Sequence, residues 1–298
     1  MKPPFRYYGG KSKIIKQLLN LVPKHHTYVE VFGGAGNLLF AKESSPIEVY
    51  NDLESGVVNF YRVLRNKKKS KELQELLELT PYSREEHDSC CDNWESQKDD
   101  IEKARQWYVA VQQSFSGKLE GGWSCDITKS STIHNLNIKS ALEVSQFVNK
   151  TFLFPDFNKR IKSVQIENLD FRKLIPKYDY EDCFFYGDPP YIADTRKESK
   201  SYKQETTDTL HKDLVSILLS IKGKAMLSGY IHDIYKPLED AGWERIDWKV
   251  PCTVRAGQKG SKGTGSIKSD SSKHRIESVW INYPNPNQGS NLFTNRRS

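Results

Sequence analysis

Long apolar runs are missing from this chain. No stretch approaches the roughly 18 consecutive apolar residues of a membrane span, and the opening MKPPFRYYGGK has no apolar signal core, so neither insertion nor secretion is expected. Cysteine is scarce. The five present, Cys90, Cys91, Cys125, Cys183 and Cys252, are an odd number without C-x-x-C spacing. That argues against a disulfide framework and a zinc site and fits a reducing cytoplasm. Internal repeats and sustained heptads are also lacking, which sets aside solenoids and coiled coils. Acidic residues are in the minority. The formal net charge is +7, a balance that favours polyanionic partners such as nucleic acid. The 298 residues suit one large domain, or one domain with an inserted subdomain.

What is there is an alternation of strand and helix patterns. SKIIKQLLNLVP puts Ile14, Ile15, Leu18, Leu19 and Val22 on one helical face, with Ser12 as its cap and Pro23 as its stop. TYVEVF reads as a short strand, GGAGNLLFAKE as a glycine turn opening a helix, and IEVYNDLE as a second strand ending on Asn51-Asp52. A helix over residues 54–65 follows. Residues 66–162 are more polar and mainly helical and read as an inserted subdomain, its charge run NKKKSKE being a solvated helix start. VQIENLD resumes the strand pattern at the return to residues 163–284, and CFFYGDPPY supplies another apolar strand. A helix over residues 208–221, the strand KAMLSGY, a short helix and the late strands WERIDWKV and IESVWINY complete the pattern. The order predicts an α/β fold with a mainly parallel sheet and right-handed crossovers. The last two strands, with no helix between them, predict a hairpin at the sheet edge. Glycine, serine and basic residues over 255–275 predict a mobile basic loop, and residues 285–298 a disordered tail.

Two strand ends carry chemistry. FGGAG lies between a strand and a helix but is not G-x-G-x-x-G, because Leu39 stands where the third glycine belongs, and no Gly-Lys-Ser/Thr opens the helix. A nucleoside without a pyrophosphate therefore fits better than NAD or ATP. Asp52 follows Gly33 by about the 20 residues expected of a nucleotide-binding unit and is placed to accept from ribose hydroxyls. The second end is Asp188-Pro189-Pro190-Tyr191. Each proline fixes φ and removes a backbone donor. The turn becomes a stiff spur presenting the Asp188 carboxylate, the Pro189 carbonyl and the Tyr191 ring at the edge where open α/β sheets bind ligands.

FRYYGGKSKI, VEVFGGAGNLLFAK, NDLE, NLDF and YGDPPY occur in this order. The set resembles the Dam-like, D12 class of adenine-specific DNA methyltransferases, which use S-adenosylmethionine. The resemblance implies a class I S-adenosylmethionine-dependent methyltransferase fold: a Rossmann-like, seven-stranded mixed sheet whose last-inserted strand is antiparallel. It also implies that the insert is a target-recognition subdomain. By position, Phe32, Gly33, Gly34 and Gly36 would contact the methionine and ribose, Asp52 the ribose hydroxyls, and Asp170 and Phe171 the adenine. Tyr7, Tyr8 and Lys11 match the amino-terminal cofactor motif, although core packing for the tyrosines and a helix-capping surface charge for Lys11 are the plainer alternatives. Asp188, Pro189, Pro190 and Tyr191 would act at the target, an adenine flipped out of double-stranded DNA, and Asp188 would also contact the cofactor. No metal is required, and a cytoplasmic, bacterial or phage-encoded monomer is expected. For DNA contacts the candidates are Gln113, Ser114, Lys118 and Trp123 in QQSFSGKLEGGWSCD, then Arg196, Lys197, Lys200 and Lys203 after the spur. A buried or surface amide is an equal alternative for Gln113. Cytosine-N4, RNA-adenine and protein-glutamine methyltransferases carry related spurs, and a non-catalytic DNA-binding module is the other rival. The insert matches the family too loosely to assign a recognition sequence.

Overall fold

The computed structural model describes residues 1–119, 121–125, 142–192, 202–251 and 274–287. Seven strands form one sheet: β1 Thr27–Glu30, β2 Ile47–Asn51, β3 Gln165–Glu167, β4 Cys183–Gly187, β5 Lys224–Gly229, β6 Glu244–Pro251 and β7 His274–Ile281. Their order across the sheet is β3-β2-β1-β4-β5-β7-β6. The first five run parallel, and β7 is antiparallel to both its neighbours, β5 and β6. The expected closing hairpin is therefore present, with its second strand slotted between β5 and the edge.

Both faces of the sheet are covered, so its central strands read as unbroken apolar runs rather than alternating ones. Side chains of β4 still alternate by face. Phe184 and Tyr186 join Tyr28, Tyr50, Met226, Val279 and Ile281 in one core. Cys183 and Phe185 join Val29, Val49, Leu227 and Trp280 in the other. The second core is closed by α9 Phe171–Tyr178, α10 Tyr202–Leu218 and α11 Lys236–Asp240.

The first core is closed by α1 Ile15–Leu21, α2 Asn37–Ala41, α3 Ser55–Arg65 and the inserted helices α4 Lys67–Leu79, α5 Arg84–Asn93, α6 Asp100–Gln112, α7 Leu142–Thr151 and α8 Phe154–Ile161. Within it, α6 is the buried member. Trp107, Tyr108, Val109, Ala110 and Val111 are all inaccessible, and Tyr108 stacks on Phe60 of α3 with ring centroids 5.3 Å apart. A Cβ on Gly56 would overlap the Trp107 indole, so α3 and α6 approach as closely as glycine permits. Arg160 of α8 forms a two-point ion pair with Glu48 of β2, at 2.5 and 2.9 Å. The inserted helices thus share one continuous apolar core with the sheet.

Several local expectations need revision. Ser12 does not cap α1, which begins at Ile15 without a side-chain cap. Glu54 caps α3 instead, accepting from the Gly56 and Val57 amides at 2.7 and 3.0 Å, and Asn66 caps α4. Helix α10 starts earlier and stops sooner than 208–221, because the Asp179 carboxylate collects the Lys222 and Gly223 amides and turns the chain into β5. In the segment expected to be tail, Asn285 donates to Glu244 at 3.1 Å. Residues 255–273 and 288–298 lie outside the described residues, as do Arg196, Lys197 and Lys200.

Candidate active site

Parallel strands β1, β2 and β4 all end at the same edge of the sheet. The glycine turn, Asp52 and the Asp188 spur are consequently neighbours, an arrangement that topology alone imposes. In the turn, Gly34 and Gly36 have φ of +48° and +67°, a left-handed region that penalises other residues. Gly33 is glycine for a different reason: a Cβ there would overlap the Tyr50 ring. The Tyr50 and Tyr61 hydroxyls donate to the Gly34 and Ala35 carbonyls at 2.6 and 2.8 Å, so the turn is held from beneath. Phe32 is half-buried and packs against Phe171 with ring centroids 5.6 Å apart.

Asp52 accepts from the Gly34 amide at 2.7 Å and from the Glu54 amide at 2.9 Å. Burial pushes its pKa up, and hydrogen bonds from the Glu54, Gly34 and Leu53 amides pull it partly back. An ionised carboxylate has about four lone-pair positions. With the Leu53 amide three are used here, so Asp52 retains an acceptor, and that fits a ribose hydroxyl. Below it, Glu30 is buried, accepts from the Tyr28 hydroxyl and the Leu39 amide, and has its pKa raised to about 8, chiefly by burial.

The spur meets the amino-terminal motif directly. Lys11 is only 6% exposed, so it is not a surface charge. Its Nζ lies 2.8 Å from Asp188 Oδ1, bonds the Tyr191 hydroxyl, and stands 4.1 Å from the Tyr191 ring centroid. Burial raises the pKa of Asp188, and the Lys11 ammonium opposes that rise. The Tyr191 hydroxyl donates to Glu277 Oε2 at 2.9 Å, and the ring also packs on Tyr230, centroid to centroid 4.3 Å. Tyr7 packs on Phe5 and Trp107, and burial, then Asp52, raises its pKa. Tyr8, by contrast, is 68% exposed, so packing does not explain it.

Other candidate residues sit differently from expectation. Phe171 is buried in the second core, while Asp170 caps α9, pairs with Arg172 at 2.8 Å and stays partly exposed. Gln113 is 0% exposed and donates to the Pro81 carbonyl, and Ser114 is equally buried against the Ala110 and Gly121 carbonyls. Both hold the turn at the end of α6 rather than face outward. Lys118 is exposed, while Trp123 is half-buried against Tyr82 and Arg84. Lys203 falls on α10.

Three residues that sequence reasoning missed complete the site. Asn51 bonds the Val31 carbonyl and both the amide and carbonyl of Leu169, clamping three chain segments behind Asp52. His211 is fully buried. Its Nε2 faces the Pro190 carbonyl at 2.9 Å and its Nδ1 the Tyr235 hydroxyl at 2.7 Å. A carbonyl only accepts, so Nε2 carries the proton and Nδ1 accepts from Tyr235. The third is Glu277, an acid at an inward position of β7 in line with Val279 and Ile281. In each case the available signal was a polar residue where the strand or helix pattern called for an apolar one.

Among the described residues no helix is long and apolar enough to cross a membrane, and no cluster of three or more His, Cys, Asp or Glu could hold a metal ion. Among known proteins, the chain is similar to the type II methyltransferase M1.LlaDCHI of Lactococcus lactis subsp. cremoris, 26% identical over 64% of this chain and 66% of that one. It is similar to the modification methylase LlaI of Lactococcus lactis subsp. lactis, 24% identical over 65% of this chain and 30% of the relative. The modification methylase StsI of Streptococcus sanguinis is 29% identical over 26% of this chain and 12% of its own. The chain therefore spans less than two thirds of the length of these relatives. A model of the D12 class N6 adenine-specific DNA methyltransferases matches residues 7–250. That match runs from the Tyr7 segment through the glycine turn and the Asp188 spur into β6, and the chain belongs to this family.

Proposed function

We propose that this protein transfers a methyl group from S-adenosylmethionine to the exocyclic N6 of adenine in double-stranded DNA. The observation that carries the reading is the Asp188 carboxylate at the end of β4, 2.8 Å from Lys11 and at the same sheet edge as the glycine turn and Asp52. S-adenosylmethionine, when bound, supplies an electrophilic methyl group. Phe32, Gly33, Gly34 and Gly36 would line its site, and Asp52 would accept from its ribose hydroxyls. Phe171 would act through Phe32, which it supports.

The target amine is a weak nucleophile because its lone pair is delocalised into the purine ring. Asp188 and the Pro189 carbonyl accept from its two hydrogens and favour a more tetrahedral nitrogen. Asp188 would also take the proton that the amine sheds. Lys11 holds the carboxylate before the substrate arrives, and His211 holds the Pro190 carbonyl, one residue beyond the second acceptor. Such preorganised electrostatics supply most of the rate enhancement in many enzymes. The amine is unreachable inside a stacked duplex, so the base flips out, and Tyr191 stacks on it.

Residues 66–162 would carry target recognition, with DNA lying across the exposed side of the turn after α6. There Lys118 is adjacent to the exposed rings of Phe115 and Tyr8, and the Tyr8 amide donates to the Gly117 carbonyl at 3.3 Å. Single-molecule sequencing of DNA from cells expressing the chain is the test. N6-methyladenine in a fixed context is the expected result. N4-methylcytosine would assign the related acceptor, and tight DNA binding with no methylated base would assign a non-catalytic module.

A further inference from the structure

Glu277 is 3% exposed on β7, in the row that Val279 and Ile281 give to the apolar core. An ionised side chain there is costly unless it is paired on several sides. Its partners come from three separate segments. Oε2 accepts from the Tyr191 hydroxyl of the spur at 2.9 Å and lies 3.8 Å from Lys11 Nζ of the amino-terminal motif. Oε1 lies 2.8 Å from Arg275 Nε on its own strand, and the Arg275 guanidinium stands 5.9 Å from the centre of the Tyr230 ring that packs on Tyr191.

The protons on this chain have one consistent direction. Lys11 has only donors, so the Tyr191 oxygen accepts from it and the Tyr191 hydrogen goes to Glu277. Asp188, Lys11, Tyr191 and Glu277 then form a single polar chain from the reacting carboxylate to β7. Hydrogen bonds in series reinforce one another, and the last acceptor sets the orientation of the rest. Without Glu277 the Tyr191 hydroxyl is left with Asp188, to which it also hydrogen-bonds, and turns toward the reacting carboxylate, while Lys11 loses the second carboxylate that draws it from Asp188.

We propose that Glu277 is a positioning residue for methyl transfer: through the Tyr191 hydroxyl it fixes the Tyr191 ring and the Lys11 ammonium relative to Asp188. The proposal rests on the active-site reading above.

The experiment is single-turnover methylation of an adenine-containing duplex by Glu277→Ala, Glu277→Gln, Tyr191→Phe and the Ala/Phe double variant, with Asp188→Ala alongside. Glu277→Ala should lower the rate at saturating DNA about tenfold, which is about 1.4 kcal/mol, and leave S-adenosylhomocysteine affinity within twofold. Glu277→Gln keeps an acceptor and should recover to within about threefold of wild type. Tyr191→Phe severs the same bond without touching β7, so it should show the same loss even if Glu277→Ala fails to fold. The double variant should be no slower than the slower single. A duplex carrying 2-aminopurine at the target should show a smaller fluorescence rise with Glu277→Ala and with Tyr191→Phe than with wild type. A wild-type rate in Tyr191→Phe, a loss confined to KM, or losses that multiply in the double variant would overturn the proposal. Full activity in Asp188→Ala would overturn the site reading itself. An inactive Asp188→Ala beside an unimpaired Glu277→Ala would remove only the role of Glu277.

Discussion

Replacing Lys11 with methionine would keep most of its volume and remove its charge, and the consequence follows from its neighbours. The ammonium stands 2.8 Å from Asp188 and 3.8 Å from Glu277, with a side-chain exposure of 6%. Without it, two largely buried carboxylates face each other without a cation between them. Breaking a buried pair by deleting one partner costs roughly 3–5 kcal/mol, because the other charge is left uncompensated. For 298 residues each kcal/mol moves Tm by about 1.6 °C, so Lys11→Met should melt roughly 5–8 °C below wild type at pH 8. The pH dependence has a definite sign. Burial already raises Asp188 above its unfolded value while Lys11 opposes the rise, and losing Lys11 raises it further. A carboxyl with a raised folded pKa favours the fold below its unfolded pKa and costs stability as pH climbs through the folded one. The gap between variant and wild type should therefore narrow at pH 5. Thermal melts of both proteins at pH 5 and pH 8 decide the matter. A difference under 2 °C at pH 8, or an equal gap at both values, would refute the reasoning that Lys11 neutralises this pair.

Other expectations can be checked on the same preparations. Asp188→Ala should lower the single-turnover rate by well over tenfold with the fold intact, and retention of more than about a tenth of the wild-type rate would remove its assigned role. Asp52→Ala should weaken S-adenosylhomocysteine binding by roughly 1.5–3 kcal/mol in calorimetric titration, and unchanged affinity would reduce Asp52 to a tie for the Gly34 amide. Glu30, with a pKa raised from 4.5 to about 8, makes the fold lose stability as pH rises through that interval, by at most about 5 kcal/mol. Glu30→Gln should flatten the urea-midpoint profile between pH 5 and 9, and an unchanged profile would show that Glu30 titrates normally.

The sheet was legible because its strands sit between two helical layers. Runs such as CFFYG cannot be solvated on either side, so strand and boundary are visible without knowing the partners. The glycine turn and the Asp188 spur were legible for a related reason: backbone geometry there admits few residue types. Burial of polar side chains was not. Gln113 sits in a stretch of glycine, serine and lysine that looks like an exposed loop, yet its amide is spent on the Pro81 carbonyl, a partner 32 positions away. Phe171 follows an aspartate that suggests a ligand edge, yet its ring faces the core. Asn51, His211 and Glu277 acquire meaning only from carbonyls and hydroxyls that the fold brings to them, at separations of 20 to 118 positions.

The contact between α3 and α6 bears on whether the insert could be exchanged between relatives. Trp107 of α6 donates its indole N–H to Glu54 at 2.9 Å, the same carboxylate that caps α3 two residues after Asp52. Its ring lies against Gly56 too tightly for any larger residue. The inserted helices are therefore not a cartridge that unplugs at residues 66 and 162. A chimera cut at those points would separate Trp107 from the glycine shaped to receive it and leave the Glu54 cap with a missing partner. Exchange between relatives would have to carry Glu54, Gly56 and Phe60 along with the insert, so that the seam crosses the loop after β2 instead of the middle of a packed interface.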